Sequence, residues 1–144
     1  MRILGKKYAA FVLLGDVFKG IIPILLFDQN LIIYGVAAVV GHIYPIFYKF
    51  KGGKGVATYI GIVISINFIF GLVTCLIWLL SAAVLRISSF SALISAISGP
   101  FLVFFLLDPN LLGMSAMLSC LIFWTHRANI RRILNGTESN INVN

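Results

Sequence analysis

The chain has 144 residues, of which 60% are hydrophobic and only 10% charged, with a formal net charge of +7. A soluble domain carries about 25% charged residues, so this composition excludes a water-solvated globule and makes a bilayer the natural solvent. The two cysteines, Cys75 and Cys120, stand alone in apolar stretches without the paired spacing of a zinc or redox motif, and are expected to be packing residues.

Apolar stretches cover residues 8–27, 31–48, 56–85, 90–107 and 111–124. A helix needs roughly 20 mostly apolar residues to span a bilayer. The first stretch follows Arg2, Lys6 and Lys7 in the manner of a signal peptide. Asp16 and Lys19 interrupt it, however, and no small-residue cleavage site follows, so it is expected to remain in the mature protein. On a regular helix Lys19 falls about 16 Å from Tyr8, near the bilayer middle. Charges at that depth are costly and usually pair inside a bundle. A mutual Asp16 and Lys19 ion pair is therefore the first expectation, and a substrate contact the second.

Apart from Lys19, the basic residues cluster at 2–7, 49–54, Arg86 and 127–132. Basic residues at span ends favour the cytoplasm, and placing all four clusters there requires an even number of crossings between neighbours. The turns Phe27-Asp28-Gln29-Asn30 and Asp108-Pro109-Asn110 then lie outside, with Asp28 facing outward. Residues 56–85 as one helix would be about 45 Å long, against a hydrocarbon core of about 30 Å. Parity makes this stretch a helical hairpin turning at Ser65-Ile66-Asn67-Phe68, its short arms accommodated by tilt, bilayer thinning or burial. The expectation is an all-α polytopic membrane protein. Residues 1–144 form one helical bundle with six crossings and both termini cytoplasmic, and the polar tail 135–144 is without fixed structure.

Gly41-His42-Ile43-Tyr44-Pro45-Ile46-Phe47-Tyr48-Lys49-Phe50-Lys51-Gly52-Gly53-Lys54-Gly55 follows the second span at the cytoplasmic surface. Glycines let a backbone approach an anion, Lys51 and Lys54 add charge, and a helix starting near Val56 adds unpaired amides. These are the parts of a phosphate cradle. It is not a Walker loop, since no Ser or Thr follows Lys54 and no strand precedes the segment. Read blandly, the lysines only fix topology and the glycines only make a turn. After the last span comes His126-Arg127-Ala128-Asn129-Ile130-Arg131-Arg132-Ile133-Leu134-Asn135-Gly136-Thr137-Glu138, where helical spacing puts His126, Asn129 and Ile130 on one side. An imidazole, an amide and a guanidinium can together hold a phosphate and orient or deprotonate a hydroxyl, although a basic stop segment would look the same. Arg86-Ile87-Ser88-Ser89 adds a guanidinium and two hydroxyls to the same face.

Taken together, Gly41-His42-x-x-Pro45-x-Phe47-x-x-Phe50-Lys51-Gly52-Gly53-Lys54-Gly55 and His126-Arg127-x-Asn129-Ile130-x-Arg132 resemble two signature motifs of the bacterial acyl-phosphate:glycerol-3-phosphate acyltransferases, the PlsY family. The resemblance extends over nearly the whole chain, including Asp16-x-x-Lys19-Gly20 and Arg86-x-Ser88-Ser89. It implies an inner-membrane enzyme, its site on the cytoplasmic face, that moves an acyl group from acyl phosphate to the first hydroxyl of glycerol 3-phosphate. The products would be lysophosphatidic acid and phosphate, in the first step of phospholipid synthesis. It implies no metal, nucleotide or other cofactor and no nucleic acid; membrane lipid and other phospholipid-synthesis enzymes are the remaining candidate partners. The family pattern also has an additional first span and a glycine- and asparagine-rich loop, of which only Arg2 and Gly5 match the tail. Six spans are accordingly expected here where the family has seven.

The resulting hypothesis assigns Ser88, Ser89, His126 and Asn129 to positioning and activating the attacking hydroxyl. Phosphate binding falls to Arg2, His42, Lys51, Gly52, Gly53, Lys54, Gly55, Arg86 and Arg127. An acyl phosphate is already activated, so proximity and charge stabilisation suffice in principle. The rivals are a small-anion transporter or channel, since intramembrane charges also mark ion paths, and a catalytically silent relative. No HxxxxD arrangement, typical of another acyltransferase class, follows either histidine.

Overall fold

The computed structural model describes residues 5–27 and 30–141, with side chains from Tyr8 onward. The expectations for Arg2 and Asp28 lie outside the described residues. Among those described there are seven α-helices and no strand: α1 (Gly5–Leu26), α2 (Leu31–Ile43), α3 (Val56–Ile66), α4 (Phe68–Leu85), α5 (Ser88–Leu106), α6 (Leu112–Thr125) and α7 (Arg127–Leu134). Four segments are long and apolar enough to cross a membrane: Tyr8–Leu26, Leu31–Tyr48, Phe68–Leu85 and Ser88–Leu106. Val56–Ile66 and Pro109–Thr125 are shorter apolar helices.

Burial follows the logic of a lipid solvent. Phe11, Phe18, Leu80, Val84, Phe101 and Phe105 face outward, as hydrocarbon permits. The interior mixes Val39, Ile62, Met114 and Leu118 with buried Thr58, Thr74, Ser91 and Ser119. Small residues let helices approach closely where no hydrophobic force drives them together. Thr74 and Ser91 satisfy their hydroxyls on carbonyls one turn back, Phe70 O at 2.8 Å and Ile87 O at 2.9 Å. Cys75 is half-buried but Cys120 is exposed on the outer surface, so Cys120 is not the packing residue expected.

The hairpin predicted from charge parity is present. Asn67 leaves helical dihedrals at φ −156° and ψ 123°, ends α3, and caps α4 by accepting the Phe70 amide at 2.9 Å. Gly71 of α4 packs directly on the backbone of Ile64 of α3, so the chain doubles back around Asn67. The 11 residues of α3 make a helix of only about 16 Å. Burial compensates for this: Thr58, Tyr59, Gly61, Ile62 and Val63 are all enclosed. Its closest neighbour is α1, where Gly20 meets the Thr58 carbonyl and Gly61 meets the Val17 carbonyl.

The Asp16 and Lys19 pair forms, with Lys19 Nζ donating to Asp16 Oδ1 at 2.8 Å. Its setting differs from the depth read off the sequence. Thr58 donates to the Asp16 carbonyl at 3.0 Å, and His42 Nδ1 lies 3.4 Å from Asp16 Oδ1. Asp16 is thus level with the end of α2 and the start of α3 rather than midway along the bundle, because the first turns of α1 extend past both.

The tail also departs from expectation. Up to Ile141 it lies against the bundle: the Thr137 amide donates to Arg132 O at 2.8 Å, and the Ile141 amide to Arg86 O at 2.7 Å. Gly136, at φ +68°, provides the left-handed turn that ends α7 and sends the chain back.

Candidate active site

Three helix starts meet at one end of the bundle: Val56 of α3, Ser88 of α5 and Arg127 of α7. Each follows a break the sequence specifies. Gly55 opens α3 with φ +83°, a left-handed conformation suited to glycine, while its small size lets Val39 pack against it. Arg86, at φ 56°, ends α4 just before α5. His126 is the junction between α6 and α7. Unpaired amides and the positive ends of helix dipoles favour an anion at such starts.

Between them lies a cavity of about 570 Å³ whose lining includes Lys54, Ser88, Ser89, His126, Asn129, Arg132 and Glu138. Its apolar part is formed by Leu13, Val56, Ala57, Ile60, Trp78 and Ala92. One end is therefore polar and cationic and the other a hydrocarbon surface.

The polar end is one connected network. Lys54 Nζ donates to Asn129 Oδ1 at 2.7 Å, and Asn129 Nδ2 donates to Glu138 Oε1 at 2.6 Å. Ser89 Oγ donates to the same carboxylate oxygen at 2.7 Å, and Arg132 Nε to Glu138 Oε2 at 2.6 Å. Thr125 Oγ1 donates to the Lys54 carbonyl at 2.9 Å, tying the glycine loop to the end of α6. Burial works to raise the Glu138 pKa, but the hydrogen bonds from Asn129, Ser89 and Arg132 and the Arg132 charge outweigh it and hold the carboxyl down at about 2. For Lys54, partial burial lowers the pKa; Glu138 opposes the shift and Arg132 adds to it.

His126 is only 2% exposed and lines this cavity. Its Nδ1 lies 2.8 Å from the Ile122 carbonyl, which can only accept, so the proton sits on Nδ1 and Nε2 keeps its lone pair. Burial lowers its pKa, the Ile122 bond pulls it back up, Lys54 lowers it and Glu138 raises it, with a net shift downward. The ring is neutral at pH 7 and can accept a proton.

The structure divides the residues singled out in the sequence. It brings Lys54, Ser88, Ser89, His126 and Asn129 to one cavity. His42, Lys51, Gly52 and Gly53 line a separate cleft of about 420 Å³ with Asp16 and Lys19. Gly55 is buried behind the loop as the start of α3. Arg127 turns outward, donating to the Trp124 carbonyl at 3.0 Å and stacking 4.9 Å from the indole centre. The Arg86 side chain does not line the cavity; its carbonyl holds the tail. Ile130 does not share the side of His126 and Asn129, because it faces an apolar groove with Ile133 and Leu134. Sequence reasoning quoted Arg132 within the second motif but gave neither it nor Glu138 a role in the site. The i to i+3 spacing from Asn129 could have found Arg132, but nothing local marks Glu138.

The family model described as glycerol-3-phosphate acyltransferase matches residues 1–136. The chain belongs to the glycerol-3-phosphate acyltransferase family. A member from Ruthia magnifica subsp. Calyptogena magnifica is 45% identical over 150 residues, which cover 99% of this chain and 76% of that one. Two crystal structures of PlsY (YgiH), an integral membrane glycerol 3-phosphate acyltransferase, share the fold. Its glycerol 3-phosphate form superposes with a TM-score of 0.91 at 36% identity, covering 98% of this chain and 74% of that one. Its lysophosphatidic acid form gives 0.90 at 37%, covering 96% and 75%. The chain is accordingly an all-helical integral membrane protein of this family, as the motif resemblance implied, and it spans about three-quarters of these relatives' length.

Proposed function

We propose that this protein transfers an acyl group to glycerol 3-phosphate, giving lysophosphatidic acid. The observation that carries this reading is the cavity itself. A cationic, hydroxyl-bearing end fits a phosphorylated polyol, and an apolar end fits the acyl chain of the donor and product. The same two ligands, glycerol 3-phosphate and lysophosphatidic acid, are those of the two PlsY forms whose fold this chain shares. The proposed donor is acyl phosphate, because the site offers charge for a phosphate leaving group and nothing resembling a nucleotide loop.

In the proposed step, the sn-1 hydroxyl oxygen attacks the acyl carbonyl carbon. A C–O ester bond forms, the acyl carbon to phosphate-oxygen bond breaks, and the electron pair leaves with inorganic phosphate. The hydroxyl proton passes to Nε2 of His126, and Ser88, Ser89 and Asn129 orient the hydroxyl. Lys54 and Arg132 neutralise phosphate charge, while the starts of α3 and α5 add unpaired amides. The basic end faces the cytoplasm of the inner membrane, supported by the positive-inside rule. Residues 1–144 act as one domain, and the substrates come from the two phases that meet at this face.

The test is acyl transfer by the protein reconstituted in vesicles, supplied with acyl phosphate and glycerol 3-phosphate. Formation of lysophosphatidic acid that is lost in Lys54→Ala supports the reading. Phosphate flux without lipid product would replace it with transport, and an acyl thioester acting as the only donor would overturn the choice of donor.

A further inference from the structure

The second cleft contains a histidine that no step above uses. His42, whose side chain is 9% exposed, stands at the end of α2 with Nδ1 3.4 Å from Asp16 Oδ1, a close approach without hydrogen-bond alignment. Asp16 is fixed in turn by Lys19 at 2.8 Å, and its carbonyl accepts from Thr58. The other side of the ring meets the glycine loop. A Cβ built on Gly53 would collide with His42 Nε2, and one built on Gly52 would collide with the His42 carbonyl.

The loop before this contact is closed on itself. The Phe50 amide donates to Pro45 O at 3.0 Å and the Gly52 amide to Ile43 O at 3.0 Å, with Lys49 and Phe50 both in left-handed backbone. Gly53 therefore leaves a fixed point and crosses the His42 ring, and the next residue is Lys54, whose amine reaches Asn129.

We propose that His42, held beside Asp16, is a positioning residue: its ring is the surface on which Gly53 rests, and it sets where Lys54 meets the phosphate. This rests on the reading of Lys54 as a phosphate ligand in acyl transfer. It gives His42 and Gly53 one shared role and takes His42 out of direct contact with substrate. Both glycines are required by the closeness of the His42 residue rather than by backbone dihedrals, since neither has a positive φ.

The experiment is a double-mutant cycle on the vesicle-reconstituted protein, with KM for glycerol 3-phosphate and kcat measured for His42→Ala, Gly53→Ala and the pair. Each single change should raise KM roughly tenfold with kcat nearly kept, because a small misplacement of a binding group costs affinity first. The pair should be no worse than the worse single variant, because removing the ring makes room for the added methyl. His42→Gln and Asp16→Asn should retain more affinity than His42→Ala. Multiplied single effects, or an unchanged KM in His42→Ala, would overturn the proposal. A second readout does not depend on catalysis. With Cys75 and Cys120 replaced by Ser, the Lys54→Cys and Asn129→Cys pair should form a disulfide several-fold more slowly once His42 is Ala. An unchanged rate would overturn the positioning role even if the unaltered protein transferred no acyl group, whereas slower cross-linking without transfer would count only against the proposed reaction.

Discussion

Lys54 and Asn129, 75 positions apart in the chain, meet at 2.7 Å, with the lysine donating to the amide oxygen. This contact closes the cavity by joining the glycine loop to α7. It also fixes the amide orientation, because Oδ1 must accept from Lys54 while Nδ2 donates to Glu138. Asn129→Asp would place a second carboxylate against Glu138, and like charges at that separation repel strongly. We expect Asn129→Asp to lose far more transfer activity at pH 7 than Asn129→Gln. Steady-state rates of lysophosphatidic acid formation check it, and equal rates would mean that the amide donor is irrelevant.

Lys54→Ala should lower kcat/KM for glycerol 3-phosphate by about 10²–10³-fold, the scale of losing one preorganised charge donor to a reacting anion. Lys54→Arg should recover only part, because the fork of a guanidinium does not reproduce a single amine reaching Asn129 Oδ1. A full recovery would mean that charge alone matters at this position.

Much of this arrangement can be read in the sequence, for identifiable reasons. Residues 56–85 are too long for one span and too short for two ordinary ones, and that length with charge parity placed a hairpin turn within Ser65-Ile66-Asn67-Phe68, where the structure breaks the helix at Asn67. Lys54, Ser88, Ser89, His126 and Asn129 share a basic end because charge parity places their loops on one side. Glu138 was hidden because a polar tail looks solvated; its docking depends on partners contributed by α5 and α7. The depth of Asp16 was misjudged because helix counting from Tyr8 cannot tell where the neighbouring helices begin. For the same reason a contiguous glycine and lysine motif concealed a division, with Lys54 facing one cavity and Lys51 the other.

His126 supplies a pH test. Its folded-state pKa lies below the ordinary value of 6.5, so the neutral base persists at pH 6.5. Activity should be flat from pH 7 upward until other groups titrate, and should fall as pH drops through the lowered value. Folding stability runs the same way: the unfolded state binds the proton more readily below 6.5, so stability declines on acidification. His126→Ala should abolish the acidic limb of the kcat profile. An acidic limb surviving unchanged would assign the proton to a phosphate of the substrate instead.

Glu138 has a carboxyl held at about 2 against an ordinary 4.5. A depressed carboxyl contributes stability that is present above 4.5 and disappears as pH falls towards 2. Glu138→Gln removes the charge that Arg132 pairs with and turns one carboxylate oxygen into an NH2 donor, which must then face a donor, either Arg132 Nε or the Asn129 and Ser89 pair that share Oε1. The tail should then detach from α5, seen as faster amide exchange around Ile141, and transfer should fall as Asn129 loses its orientation. Unchanged protection in that variant would mean that the Ile141 to Arg86 bond alone secures the tail.

The crossing of α1 and α3 allows a prediction about stability rather than chemistry. Gly20 sits against the Thr58 carbonyl and Gly61 against the Val17 carbonyl, both backbone atoms that cannot swing aside. Gly20→Ala or Gly61→Ala must push the helices apart, at a cost of about 1–3 kcal/mol, typical of overpacking. Because Asp16 and Thr58 lie at this crossing, the shift would also reach the base of the glycine loop. Gly15 and Gly113 are helical glycines with nothing within 4 Å of an added Cβ. There the change to alanine should be neutral or stabilising by about 0.5–1 kcal/mol through helix propensity. Thermal unfolding in detergent separates the two pairs. If Gly15→Ala were as damaging as Gly20→Ala, helix packing would not be the reason glycine is needed at position 20.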